Sequence, residues 1–541
     1  MLNTIKRIHN HYLMKYKYNT LKIFLLFVSL AICLPIQAQV TLHRLFSDHM
    51  VLQRERPLPV WGKASPGEKV SVTFNNETKS TTARADGGWM VKLSPQKIST
   101  IPQILKVTGK NVLTVSDVLV GDVWLGTGQS NMDFSVSGTD GAERVKKSAD
   151  GLYNGIRIFK VEQVVSDFPV DTLGGKWLES TKENIKGFSA TLFFFGEALH
   201  ERQPGVPLGL IRSSVGATNA FSWIPNEVRD EDPSTAYLRQ WWSNATSNWT
   251  PERQAERDLA NKEYINKIAD YKSRKEKIPE TIKNPGELVG PKYSRRPSAL
   301  YNGMIAPLQP FSIRGMIWYQ GEWDAKRDWV KVYHDTFVAL AKSWRANWVK
   351  AGKDAGLGKF PIYIVQLPSR IPGDGDFWPY MREVQERLAT SVPNSGFVTT
   401  LDLNDGTDLH PKEKTEIGRR LARLALAKEY KQEIVFCGPV LHSTKIEGNK
   451  VILTFNPGAK ELKSSDGEPL RNFELAAEDG HYYAAIAEIG KNKVVITSKQ
   501  VPKPATIRYA WMPAPLKINF FNTDGLPARP FRTDTLPVSL K

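Results

Sequence analysis

The sequence predicts an α/β protein in which a parallel sheet flanked by helices lies between N- and C-terminal β-sandwich-type regions. Three observations carry this. From about residue 116 to 430, apolar strand-like runs alternate with helical periodicity, the pattern of strands covered on both faces by helices. Residues 39–115 and 431–541 instead hold short strand-like runs punctuated by Gly, Pro, Asn and Asp, without a long helical pattern. A chain of 541 residues, 41% apolar and 24% charged, has material for several cores and exceeds the usual size of one domain.

The elements follow in order. Residues 1–38 read as an export signal. Lys15, Lys17 and Lys22 flank the start of an apolar run of 12 residues, 23–34, which ends before Pro35 and a cut expected after Ala38. The run is too short to span a bilayer and suits a signal peptide. Initiation at Met14 gives a more usual signal than initiation at Met1, and both stay open. A lipid anchor at Cys33 fits poorly, because bulky Ile32 stands where a small residue is needed. No later stretch is apolar enough to cross a membrane. Once Cys33 leaves with the signal, Cys437 is single, so no intrachain disulfide is expected and a buried, inert thiol is.

Strands are expected at 59–62, 69–74 and 89–93 in the first β region, and at 451–455, 494–498 and 507–511 in the last. Between them, strands are expected at 118–125, 156–161, 207–212, 313–319, 361–366 and 397–403, with helices at 191–202, 330–348, 378–390 and 413–430. Residues 226–298 form a charged insertion bearing Trp241, Trp242 and Trp249, with a helical middle at 251–277. It either covers part of the sheet or the site, or serves structure alone.

The formal charge is +17, but beyond the signal the basic residues are interspersed with acids. That describes a solvated surface and speaks against nucleic acid as a partner. The 15 Trp and 17 Tyr mainly supply core, with some left to form flat platforms for sugars. GxSxG, HExxH and CxxC are absent, and no phosphate-binding glycine loop follows a strand. Neither a catalytic metal nor a nucleotide cofactor is therefore expected. The acidic turn GDGD at 373–376 reads as a solvent loop rather than a calcium site.

In parallel sheets, ligands bind beyond the carboxyl ends of the strands. Four loops with suitable residues share that edge. Ser130 lies in GTGQSNM after Leu125. Gly216 lies in SSVGAT after Arg212. Gln320 and Glu322 follow Tyr319, and Asp408 and His410 follow the last strand. Of the nine His, only His200, His334 and His410 fall in the α/β region. His200 ends a helix and His334 sits on a helix's polar face, whereas His410 stands in a loop rich in acids, where a general base is useful. Together the loops describe a Ser-His-Asp site with a small-residue loop for an oxyanion hole.

The chain resembles the sialate O-acetylesterase family within the broader SGNH-type hydrolases. The resemblance rests on FSDHMVLQRERPLPVW (46–61), VGDVWLGTGQSNM (120–132), LYNGMIAP (300–307), WYQGE (318–322), DLHPKEKTEIGRRLA (408–422) and GLPARPFRTD (525–534), spread over essentially the whole mature chain. It implies an SGNH-hydrolase-like sheet, and Ser130 as nucleophile with His410 as its base. Asp408 would be the orienting acid, with Asp405 its rival. Backbone N–H groups of Ser130 and Gly216 would hold the oxyanion, while Gln320 and Glu322 shape the site. After QGE, relatives usually carry a small residue and then Asn. Here Trp323 and Asp324 stand instead, and an ionised Asp324 cannot donate to an oxyanion: either Gln320 or a backbone N–H donates in its place, or Asp324 points away, or the enzyme is impaired. Trp323 is a candidate for stacking on a sugar. The implied function is an exported serine esterase acting on O-acetylated carbohydrates, foremost O-acetylated sialic acid. Acetylated xylan or xyloglucan is the alternative, and a non-catalytic glycan-binding protein the reading from another class. Oligomeric state is not legible.

Overall fold

The computed structural model describes residues 39–148, 151–371, 377–456, 461–515 and 517–534. The expected signal at 1–38 and the acidic turn at 373–376 lie outside the described residues.

Strand β1 (Val112–Gly128) organises the molecule. Its first half alternates between exposed and covered residues and pairs antiparallel with Ser99–Thr108, in a sheet that also holds Lys69–Phe74 and Glu77–Thr82. From Val118 onward every residue is buried, and the strand enters a parallel stack. The other members are β2 (Ile156–Lys160), β3 (Trp177–Glu179), β4 (Leu208–Ser214), β5 (Gly315–Tyr319), β6 (Ile362–Val365) and β7 (Ser395–Val398). Their order is β3-β2-β4-β1-β5-β6-β7, parallel throughout except for β2 with β3. The boundary expected between residues 115 and 116 thus falls inside one continuous strand. The switch from alternating to unbroken apolar character marks a change of surroundings, from a half-covered antiparallel sheet to a helix-covered parallel one.

The helices that matter below are α1 (Ser130–Asp133), α2 (Ala190–Arg202), α3 (Pro251–Ser273), α4 (Arg327–Gly352), α5 (Trp378–Ser391) and α6 (Thr415–Lys428). Successive strand residues point to opposite faces, so each strand feeds two cores. Trp124, Ile317, Tyr319 and Tyr363 join Phe193 and Phe194 of α2 and Leu421 and Ala425 of α6. Leu125, Met316, Trp318 and Ile364 join Leu340, Trp344 and Trp348 of α4 and Met381 of α5. Eight of the 15 Trp are fully buried, so the tryptophan content chiefly builds core. In the insertion, Trp241 packs edge-on against Trp329 of α4 at 4.8 Å, while Gln254 is the buried residue of α3.

Strand β7 stops at Val398 rather than continuing to residue 403. The hydroxyls of Thr399 and Thr400 bond Gln366 on the neighbouring chain segment, and the backbone turns out of the sheet, so residues 399–414 become the loop ahead of α6. The last β region forms antiparallel sheets, with Lys450–Phe455 between Leu441–Glu447 and Lys493–Thr497, over a core that includes Leu453, Phe473, Tyr509 and Phe520. Cys437 is a free thiol but only half-buried, contrary to the expectation of full burial.

Candidate active site

The site begins where β1 ends. Gly128 has φ +127°, and a Cβ there would stand 2.1 Å from the Tyr319 carbonyl oxygen. Only glycine lets the ends of β1 and β5 come this close. Gln129 then donates its N–H to that carbonyl at 3.0 Å, and the chain turns at once into α1. Asn131 and Met132 are buried while Ser130, the first residue of the helix, is left partly exposed. As the first helical residue, its N–H has no acceptor within the helix.

His410 arrives on the loop after β7. Its Nε2 lies 2.8 Å from the Ser130 hydroxyl oxygen, across 280 residues of sequence. The imidazole stacks on Phe134, centroids 5.9 Å apart and planes 18° apart. Burial, together with the Lys414 ammonium, holds its pKa below the ordinary imidazole value, against an opposing pull from Asp408. The imidazole is thus biased to the neutral form that a base requires. His200 lies in the last turn of α2, and His334 bonds Asp335 and Ser391. Neither joins Ser130.

The acids differ from expectation. Asp408 is exposed, and its Oδ1 accepts the backbone N–H of His410 at 2.8 Å. It makes no hydrogen bond to the imidazole ring. Two residues of separation let the carboxylate close a small turn onto the main chain, the usual habit of Asp in loops. Asp405 does the same one turn earlier, accepting from the Thr407 N–H and hydroxyl at 2.9 and 2.6 Å.

Gly216 faces Ser130. A Cβ there would sit 3.5 Å from the Ser130 Cβ, and its N–H makes no hydrogen bond among the described residues. Gln320, by contrast, is fully buried and committed. Its amide nitrogen donates toward Gln129 Oε1 (3.1 Å), the Thr218 carbonyl (3.0 Å) and Asp324 Oδ2, and its oxygen accepts from the Tyr333 hydroxyl at 2.8 Å. Two amide hydrogens with three acceptors leave none for an oxyanion, so Gln320 belongs to the frame of the site. Asp324 turns to the same frame. It takes the Ala220 N–H at 3.1 Å and the Gln320 amide, and burial pushes its carboxyl up to about 7. The Lys326 ammonium stands over the Trp323 ring, 3.9 Å from its centroid, and Arg295 of the insertion lies at 5.8 Å.

A buried polar chain, unforeseen from the sequence, runs beneath Ser130 and His410. Asn131 Nδ2 donates to Glu322 Oε1 at 2.6 Å and to the Leu409 carbonyl at 3.0 Å, and Lys414 Nζ donates to Asn131 Oδ1 at 2.5 Å. Burial pushes Glu322 up to about 7 and Lys414 down to about 7. The available signal was that Asn131 follows Ser130 directly and Lys414 lies four residues after His410.

Among the described residues, His49, Asp117 and Glu179 could in principle gather around a metal ion. Arg157 already bonds Asp117 at 2.8 Å and Glu179 at 3.1 Å, so both acids have their counter-charge. None of the three belongs to the Ser130 site.

Residues 286–427 match the family described as carbohydrate esterase, sialic acid-specific acetylesterase. Sialate O-acetylesterase from Mus musculus is 27% identical over 90% of this chain and 92% of its own length, and that from Homo sapiens 27% over 90% and 91%. The crystal structure of a carbohydrate acetylesterase from Xanthomonas citri covers 92% of this chain and 100% of its own, at 30% identity and a TM-score of 0.73. No described helix is long and apolar enough to cross a membrane. An identity of 30% sustained over nearly the whole of both chains, on a shared fold, means that the chain belongs to the carbohydrate acetylesterases, alongside the sialate O-acetylesterases, and is a carboxylic ester hydrolase.

Proposed function

We propose that the chain is an exported serine esterase that removes O-acetyl groups from carbohydrates, with O-acetylated sialic acid as its first substrate. The observation that carries this is the 2.8 Å contact between His410 Nε2 and the Ser130 hydroxyl. In this reading His410 takes the Ser130 proton as the oxygen attacks the acetyl carbonyl, because a serine hydroxyl is a weak nucleophile on its own. The N–H groups of Ser130 and Gly216 stabilise the oxyanion. Collapse of the tetrahedral intermediate breaks the ester bond, and His410 returns the proton to the departing sugar oxygen. Water, deprotonated by His410, then releases acetate from the acetyl-serine. No cofactor takes part.

The same reading assigns residues 1–38 to a signal peptide, 39–115 and 431–541 to β domains, and 116–430, with its 226–298 insertion, to an SGNH-like esterase unit. The enzyme would then work in the periplasm or outside the cell. The similar protein from Xanthomonas citri is named for carbohydrates in general, which keeps acetylated xylan or xyloglucan as the second reading.

The test is acetate release by the mature protein and its Ser130→Ala variant on 9-O-acetylated sialic acid and acetylated xylan, side by side. Release that is lost in the variant supports the serine mechanism, and the preferred substrate decides between the two readings. A folded protein whose Ser130 fails to react with a fluorophosphonate overturns the proposal and favours a glycan binder.

A further inference from the structure

We infer that Lys414 is a positioning residue of the esterase reaction, acting through Asn131 to hold the His410 loop against Ser130. This rests on the Ser130–His410 reading above. Asn131 directly follows the nucleophile in α1, and its side-chain amide reaches two other segments: Glu322 after β5, and the loop ahead of α6, where it meets the carbonyl of Leu409 beside the base and Lys414. All of its hydrogen-bonding capacity in one direction is therefore spent on fixing two loops to the nucleophile.

The two ends of this bridge decide which way the amide points. An ammonium only donates, and an ionised carboxylate only accepts. With Lys414 on one side and Glu322 on the other, Asn131 can satisfy both in a single orientation, oxygen toward Lys414 and NH2 toward Glu322. In that orientation its second amide hydrogen reaches the Leu409 carbonyl. Reversing the amide would break all three bonds. Within the loop Asp408 takes the His410 N–H, so the Leu409–His410 peptide group is held at its carbonyl by Asn131 and at its N–H by Asp408. Lys414 also stands 5.4 Å from the centroid of Phe134, the ring on which His410 stacks.

The placement is costly for stability alone. Lys414 is fully buried, and a buried ammonium carries a desolvation penalty that a methionine of similar length would avoid. The directional lock gives the charge a purpose. Without Lys414, the buried Glu322 keeps Arg370 but loses the larger of the two cationic influences that favour its charged form. A protonated carboxyl can donate, and the amide is then free to reverse and release Leu409.

The experiment measures acetate release by the full mature chain, by Lys414→Met and by Asn131→Asp, as kcat, KM and the pH profile of kcat/KM. The charged groups bearing on His410 are Lys414, Asp408 and Arg370. Lys414→Met is expected to lower kcat by about 10–100-fold, the scale of a base displaced by about 1 Å, with KM within threefold. Removing the ammonium that disfavours the imidazolium also moves the acid limb to higher pH. Asn131→Asp, which keeps the shape of the bridge and the acceptor for Lys414 but cannot donate to the Leu409 carbonyl, is expected to lower kcat likewise. A folded Lys414→Met protein with unchanged kcat overturns the inference, whether or not the acid limb moves. If that variant does not fold, unchanged kcat in Asn131→Asp overturns it. A wild-type protein that releases acetate independently of Ser130 defeats the reading of the site itself, and that outcome is distinct.

Discussion

Replacing Asp408 by Asn separates two roles that the sequence could not. If the carboxylate held the His410 ring as the third member of a triad, the isosteric amide would favour the wrong imidazole tautomer, and kcat would fall by about 10⁴. In the structure the carboxylate is exposed and accepts the His410 backbone N–H. Asparagine keeps an oxygen for that bond, so the turn survives. What disappears is a negative charge that favours the imidazolium formed during reaction. An attraction between an exposed charge and a half-buried one is worth about 0–1 kcal/mol, or at most about fivefold in rate at 1.36 kcal/mol per decade. Asp408→Asn should therefore retain at least about a tenth of wild-type kcat. Asp408→Ala, which loses the bond to a charged acceptor worth about 1.5–3 kcal/mol, should lose about 10–150-fold. The assay is steady-state acetate release on the substrate that the wild type prefers, with thermal melts to verify folding. A loss of 10³ or more in the Asn variant would refute the reasoning and return Asp408 to the ring.

Three further outcomes are expected. Because burial and Lys414 depress the His410 pKa, and the base acts when neutral, the acid limb of kcat/KM should lie below the ordinary imidazole value of about 6.5; a limb at or above that value contradicts the placement. Asp324 has a folded-state pKa of about 7 against about 3.9 unfolded, so the folded state favours the proton and the wild type loses stability as pH rises through that window; Asp324→Asn should gain on it by up to about 4 kcal/mol between pH 4 and pH 8, read from urea denaturation at both values. Gly216→Val places branched carbons beyond a Cβ already 3.5 Å from the Ser130 Cβ, and should cut kcat/KM at least about tenfold with an unchanged melting temperature, whereas Gly216→Ala should stay within about threefold.

Strand–helix alternation from residue 116 to 430 was legible because apolar periodicity is local: a strand covered on both faces writes an unbroken apolar run, and a helix writes period 3.6. Ser130 and His410 were legible for a related reason. In a parallel sheet, chemistry gathers at the strand ends, and both residues follow strand-like runs. What the sequence left open depends on groups far apart along the chain. The orienting acid could not be chosen between Asp405 and Asp408, and in the structure each closes a turn on its own backbone. Gln320 reads as an oxyanion donor until Asp324, Thr218 and Gln129 are seen to take its hydrogens. Lys414 and Asn131 are 283 residues apart, and no local pattern records their contact. Even the expected edge of the first β region dissolved, since β1 serves an antiparallel sheet and a parallel one in a single stretch. Local sequence sets which segments are strands, helices and turns. Which side chain finds which partner is set by sheet order and burial, where a polar group withdrawn from water must bond whatever the fold has brought beside it.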